Sequence, residues 1–255
     1  AGALALFTLL GAIPAIDVAV ALVNRGLTQG VRARPLPALE LRSGVPSRLR
    51  TLVAVPVLLT SQEVVEALIE RLEIHFLASS EGHLHFALLS DWSDAASASA
   101  GGDEGLLLAA RDGIARLNAK YGRAPGGDRF LLLHRRRLWS ESEAKWIGWE
   151  RKRGKLHELN RRLRGARDTT FLEVDGQAPV VPAGVKYVIT LDADTRLPRD
   201  TVRRLIGKMA HPLNRARLAR SDALGATATG ELRLVNTQST GATISGDLRL
   251  PEVRA

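Results

Sequence analysis

The sequence predicts an α/β fold: a mainly parallel sheet flanked by helices, preceded by an apolar N-terminal helix. Two observations carry the sheet. Short, nearly continuous apolar runs such as Thr51-Leu52-Val53-Ala54-Val55-Pro56-Val57-Leu58-Leu59 are what strands covered on both faces require. They alternate with longer stretches of helical periodicity, and that alternation implies right-handed βαβ crossovers. With 255 residues, 45% hydrophobic and 25% charged, the chain can bury a sizeable core.

Residues 1–24 read as one helix, apolar from Ala1 to Val23 apart from small residues, Pro14 and Asp17. At about 1.5 Å of rise per residue such a helix could just cross roughly 30 Å of hydrocarbon. Arg25, Arg32 and Arg34 follow, which places the remainder on the cytoplasmic side by the positive-inside rule. A buried or interfacial helix is the alternative, since Pro14 and Asp17 interrupt the run. Residues 25–50, with Arg34-Pro35-Leu36-Pro37, read as a linker, because a residue before proline is pushed out of helix.

The first strand, from Thr51 to Leu59, leads into a helix with a capping-box spacing, Thr60 to Glu63, and an apolar face of Val64, Leu68 and Leu72. Leu84 to Ser90 is a second buried strand, ending at Asp91. Asp103 to Tyr121 is an amphipathic helix with Leu107, Ala110, Ile114 and Leu117 inward, and Phe130 to Leu133 a third strand. Trp146 to Leu163 is helical in pattern with a break at Gly154. Val185 to Leu191 is a strand running directly into Asp192, and Pro198 and Asp200 open a helix carrying Val202, Leu205, Ile206 and Met209. Residues 218–255, rich in Gly, Thr, Ser and Ala, read as an edge hairpin or a disordered tail, and the sheet as incomplete on its C-terminal side. The chain begins at Ala1 and its one methionine is Met209, so it reads as cut from a longer protein.

The absence of cysteine removes disulfides, thiolate metal sites and a thiol nucleophile. The six histidines (His75, His83, His85, His134, His157 and His211) have no paired metal-ligand spacing, and neither a nucleophile elbow nor a phosphate loop occurs. A net charge of +9 favours anionic partners without choosing among nucleotides, lipid headgroups and nucleic acid. Arg135-Arg136-Arg137 and Arg161-Arg162 would suit nucleic acid. Only 4% of residues are aromatic, however, and no nucleic-acid-binding motif is present, so nucleic acid is not expected as a partner.

In open α/β sheets, ligands bind beyond the carboxyl ends of the strands. Three polar signals fall there: Thr60 with Ser61, Asp91 with Asp94, and Asp192 with Asp194. Two carboxylates one residue apart at a strand end can converge on a hard cation, Mg²⁺ or Mn²⁺, that shares its oxygen ligands with phosphates. Asp-x-Asp is also common in turns; the buried strand before it gives it weight. Within Trp149-Glu150-Arg151-Lys152-Arg153-Gly154-Lys155, a lysine beside a glycine can reach a diphosphate, although a solvated basic helix face has the same composition.

Taken together, Phe86 to Trp92, Gly148 to Leu156, Tyr187 to Pro198 and Met209 to Asn214 resemble, in order, blocks of the processive GT-A-fold glycosyltransferases. Within that group they resemble more specifically the glucosyltransferase domain of bacterial cyclic β-1,2-glucan synthases. The resemblance covers roughly residues 10–217 and makes 51–217 a nucleotide-sugar-binding domain. It implies an inner-membrane protein with a cytoplasmic catalytic domain, using UDP-glucose and a divalent cation to extend a glucan acceptor. It further implies Asp91 on the uracil or ribose, Lys155 on nucleotide or diphosphate, and Asp192 with Asp194 on the metal. Thr60, Arg153 and Asn160 would belong to the donor pocket. The resemblance stops near Arg217, and Asp200, Asp222, Glu231, Asp247 and Glu252 lack the context of a general base. A donor-binding half of a synthase, a non-catalytic fragment of a membrane complex and a basic nucleic-acid-binding module are therefore the three functional readings.

Overall fold

A computed structural model describes residues 2–30, 35–79, 81–173, 179–214 and 242–246. The chain divides into two compact units, Ala1–Pro37 and Ala38–Ala255.

The first unit is one helix, α1 (Gly2–Gly30), which continues through Pro14 and past Asn24 into the stretch that reads as linker. Among the described residues it is the helix long and apolar enough to cross a membrane: Leu10–Gly30 has mean hydropathy 1.5. Ile13, Ile16, Val20 and Val23 are all exposed.

The second unit is a sheet in the order β3-β2-β1-β6-β7. Strands β1 (Thr51–Leu59), β2 (Leu84–Trp92), β3 (Phe130–His134) and β6 (Tyr187–Leu191) are parallel, and β7 (Ala242–Gly246) runs antiparallel beside β6. The central strands are apolar on both sides because both faces are covered. On one face Val53, Val55, Phe86 and Leu88 pack against α2 (Gln62–Ala78), α3 (Asp103–Tyr121) and α5 (Thr201–Ala210). On the other, Leu52, Ala54, Ala87 and Leu89 meet Leu159 of α4 (Arg151–Leu163). The sequence prediction of an α/β, mainly parallel sheet with an apolar N-terminal helix holds.

Several details differ from the sequence reading. The cap of α2 is Ser61, whose hydroxyl accepts from Val64 N at 3.3 Å, not Thr60. The helix therefore turns Val65, Leu68, Ile69 and Leu72 inward and leaves Val64 exposed. Part of the supposed linker belongs to the sheet unit: Val45 is buried, bridges Gly82, and precedes a 3₁₀ turn over Ser47–Leu49. Trp146 is not helical. It lies in β5 (Lys145–Ile147), paired with β4 (Leu138–Ser140) in a small antiparallel hairpin. Nor does Gly154 interrupt α4, since there the glycine permits close packing. Of residues 218–255, only 242–246 are described.

Candidate functional site

From β1 the sheet grows in two directions, to β2 and β3 on one side and to β6 on the other. The topological switch point of this open sheet is thus the carboxyl edge between β1 and β6. Leu58 is in register with Asp91, and Ala54 with Thr190, so Thr60, Asp91 and Asp192 all fall at that edge on three adjacent strands. Thr60 is exposed just beyond β1.

Asp91 projects onto the α4 face, where it joins a buried group of four charges. Arg135, immediately after β3, donates from Nε to Asp91 Oδ1 at 2.8 Å and from Nη2 to Oδ2 at 2.9 Å. Lys155 Nζ lies 3.1 Å from Asp91 Oδ2 and donates to the Val57 carbonyl of β1 at 2.5 Å. Glu158, one turn along α4, lies 3.5 Å from Arg135 Nη1 and accepts from Thr170 N and Oγ1. All four side chains are at most 7% exposed. Burial pulls the Lys155 ammonium below its ordinary pKa, and the Asp91 carboxylate partly offsets this. Two formal negative and two formal positive charges sum to zero, which is how such a group is tolerated inside.

Two glycines admit this group. A Cβ on Gly148 would stand 2.4 Å from Asp91 Oδ2, and one on Gly154 would stand 1.9 Å from the Trp149 carbonyl and 2.8 Å from Arg135 Nη1. Arg135 also donates to the carbonyls of Trp149 at 3.0 Å and Arg151 at 3.2 Å, fastening the start of α4 to the sheet. Sequence reasoning missed Arg135 and Glu158. A usable signal existed: an arginine directly after a buried strand must find a carboxylate. Arg137 does the same with Asp103, at 2.5 and 3.1 Å. Burial opposes ionisation of Asp103, but the Arg137 guanidinium outweighs it and holds the carboxyl below its usual value. Only Arg136 of the Arg135-Arg136-Arg137 run faces solvent, so the run is not a basic surface strip.

Asp192 and Asp194 sit in the turn after β6, which is closed by Thr195 N donating to the Asp192 carbonyl at 2.9 Å. Arg71 of α2 holds the Ala193 carbonyl. Asp194 is exposed; the half-exposed Asp192 carboxylate is paired with Lys152, from the first turn of α4. No cluster of three or more metal-ligating side chains occurs among the described residues. Two carboxylates fit a cation that completes its shell with water and phosphate oxygens, not one caged by protein alone. The fold thus brings Asp91 and Lys155 together, facing each other. Arg153 points to solvent, paired with Glu150 at 2.7 Å, and Asn160 is half-buried further along α4.

An open, mainly parallel sheet with acidic strand ends at its switch point and an adjoining cationic helix start defines an α/β protein with a candidate ligand site at that edge. Over 214 residues, 84% of its length, the chain is 50% identical to the cyclic β-(1,2)-glucan synthase NdvB of Rhizobium meliloti (strain 1021). It is thus related to a segment of a glucan synthase, and it spans 7% of the length of that relative. No family model matches the chain.

Proposed function

We propose that this chain forms the donor side of a UDP-glucose-dependent glucosyltransferase that extends a β-1,2-glucan at the cytoplasmic face of the inner membrane. The observation that carries the reading is the presence of Thr60, Asp91 and Asp192 at or just beyond the carboxyl ends of three adjacent parallel strands, near the switch point. The 50% identity to a glucan synthase supports the sugar and linkage, and the exposed apolar α1 supports membrane association.

In this reading Asp192 and Asp194 would hold Mg²⁺ or Mn²⁺, which would supply Lewis-acid stabilisation of the charge on a departing diphosphate. Lys152, now neutralising Asp192, lies at the same edge and turns to a phosphate oxygen once that carboxylate has another partner. The buried group keeps Asp91 and the start of α4 from moving as charge shifts nearby, a preorganised polar wall. Because that group is formally neutral, attraction for the donor comes from Lys152 and Arg153 at the start of α4. Glucose transfer is a single displacement: the acceptor hydroxyl bonds to the anomeric carbon, the bond to UDP breaks, and the hydroxyl proton passes to a base. No residue of this chain is assigned as that base.

Calorimetric titration of UDP-glucose with Mn²⁺, with EDTA, and into an Asp192→Ala, Asp194→Ala double variant tests the reading. Binding that requires both the cation and the two aspartates is expected. A folded chain that binds nothing, or binds equally well in EDTA, overturns it.

A further inference from the structure

We propose that the cleft between the β4–β5 hairpin and the start of α4 is a saccharide-binding subsite that takes a β-linked glucosyl chain. Trp139, Trp146 and Trp149 are three of the 4 tryptophans in the chain, and all lie in this one segment. Trp139 and Trp146 face each other across the hairpin with ring centroids 6.0 Å apart. Trp139 is 50% exposed and Trp149 42%, each spreading a large apolar face to solvent. Between them is a cleft of about 460 Å³ that also presents Ser142, Glu143, Glu150 and Arg151.

The cleft is built in advance. Trp146 exchanges backbone hydrogen bonds with Ala95 at 2.9 and 3.0 Å, and Arg151 is held by Asp94 at 2.9 Å and Glu143 at 2.7 Å. Its backbone is also strained. Of the four non-glycine residues with left-handed φ among the described residues, three lie here: Ala144 at 48°, Glu150 at 50° and Arg151 at 44°. Such conformations persist where the surroundings impose them, and they concentrate at ligand clamps.

The chemistry selects a neutral polyol. Aromatic faces stack on the apolar C–H faces of a pyranose, while carboxylates and hydroxyls accept from its hydroxyl groups. An anion is disfavoured, because the two glutamates outnumber the arginine and that arginine is already paired twice. The volume lies within the roughly 300–1,000 Å³ of ligand pockets. The cleft adjoins the donor edge through Trp149, whose carbonyl Arg135 holds at 3.0 Å. The choice of a glucosyl chain rests on the glucosyltransferase reading; the presence of a saccharide site does not.

Tryptophan fluorescence and calorimetry with a short linear β-1,2-linked gluco-oligosaccharide, without nucleotide or metal, test this on the full chain. Saturable binding is expected. It should weaken at least about tenfold in Trp139→Ala and in Trp149→Ala, a stacking contribution of about 1.4 kcal/mol or more, and recover in Trp139→Phe. Far-UV circular dichroism confirms that each variant is folded. The Asp192→Ala, Asp194→Ala variant should bind the oligosaccharide as the parent does. Loss of UDP-glucose binding with oligosaccharide binding intact would defeat the donor reading alone. A folded chain that binds UDP-glucose but no oligosaccharide, or binds it equally well in both tryptophan variants, overturns the subsite.

Discussion

Arg135 closes on Asp91 through two parallel hydrogen bonds, at 2.8 and 2.9 Å, with both side chains 3% exposed or less. Two residues far apart in the chain thereby join the ends of β2 and β3 beneath α4. Removing one partner leaves the buried group of four with one uncompensated charge in a dry site. Arg135→Met is expected to destabilise the fold by roughly 3–5 kcal/mol, and Asp91→Asn to act in the same direction. The double variant should be less damaged than the sum of the two. Urea denaturation of the four proteins measures the coupling, and strict additivity would contradict the pair.

Gly154 and Gly148 are set by space. Gly154→Ala must displace the backbone carbonyl of Trp149, 1.9 Å from the new Cβ, and Gly148→Ala must displace the Asp91 carboxylate. Each should lower stability by at least about 2 kcal/mol through strain and loss of the buried pair. Gly105, in α3, meets nothing within 4 Å, so Gly105→Ala should stabilise by up to about 1 kcal/mol. Thermal melts of the three variants give the comparison, and equal effects would contradict the packing described.

His75 and His134 make the protein sensitive to acid. Burial, with a smaller contribution from Arg71, lowers the pKa of His75 from 6.5 to about 4. Burial likewise lowers that of His134 to about 4. Neither ring nitrogen of His75 has a partner among the described residues, and His134 uses only Nδ1, toward Ser90 Oγ at 2.8 Å. Both therefore fold neutral, while the unfolded chain takes up their protons below about pH 6.5. The folded state binds fewer protons over this window, so stability is complete above pH 6.5 and falls as the pH drops toward 4. The loss is on the order of 3 kcal/mol for each histidine. Denaturation midpoints from pH 7.5 to 4, compared with His75→Leu, should show a shallower decline in the variant.

The exposed apolar side chains of α1 suit lipid better than water. Co-flotation with phospholipid vesicles is expected, and the Val20→Arg, Val23→Arg double variant should lose most of it, since each arginine at the centre of a membrane helix costs about 2.5–3.5 kcal/mol. Unchanged flotation of the variant would assign membrane binding to another surface.

The fold was largely legible because its signals are local. The apolar run through Val55 and the helical period through Leu107, Ile114 and Leu117 each report burial directly. The hairpin was not legible: Trp146 is held by register with Trp139 and by Ala95, partners that no periodicity reveals. Asp91, at a strand end, and Lys155, beside a glycine in α4, could be singled out by residue type. That each would meet the other directly, with an arginine from a run of basic residues as the second partner of Asp91, depends on how β2, β3 and α4 come together. Local pattern reports which residues are buried, and only tertiary packing reports which buried charges find one another.

The position of β1 between β2 and β6 has a consequence in time. On the ribosome, β1 emerges before β2 and can pair with it soon afterwards. Its other edge must wait for Tyr187–Leu191, well over a hundred residues further on. At roughly 5–20 residues per second, that wait is on the order of ten seconds. Throughout it, a strand that is apolar along its length has a row of unpaired backbone groups, open to any passing strand. Holding that edge back until β6 arrives is work for a chaperone, and yield in the cell should depend on it more than on the equilibrium stability of the finished sheet.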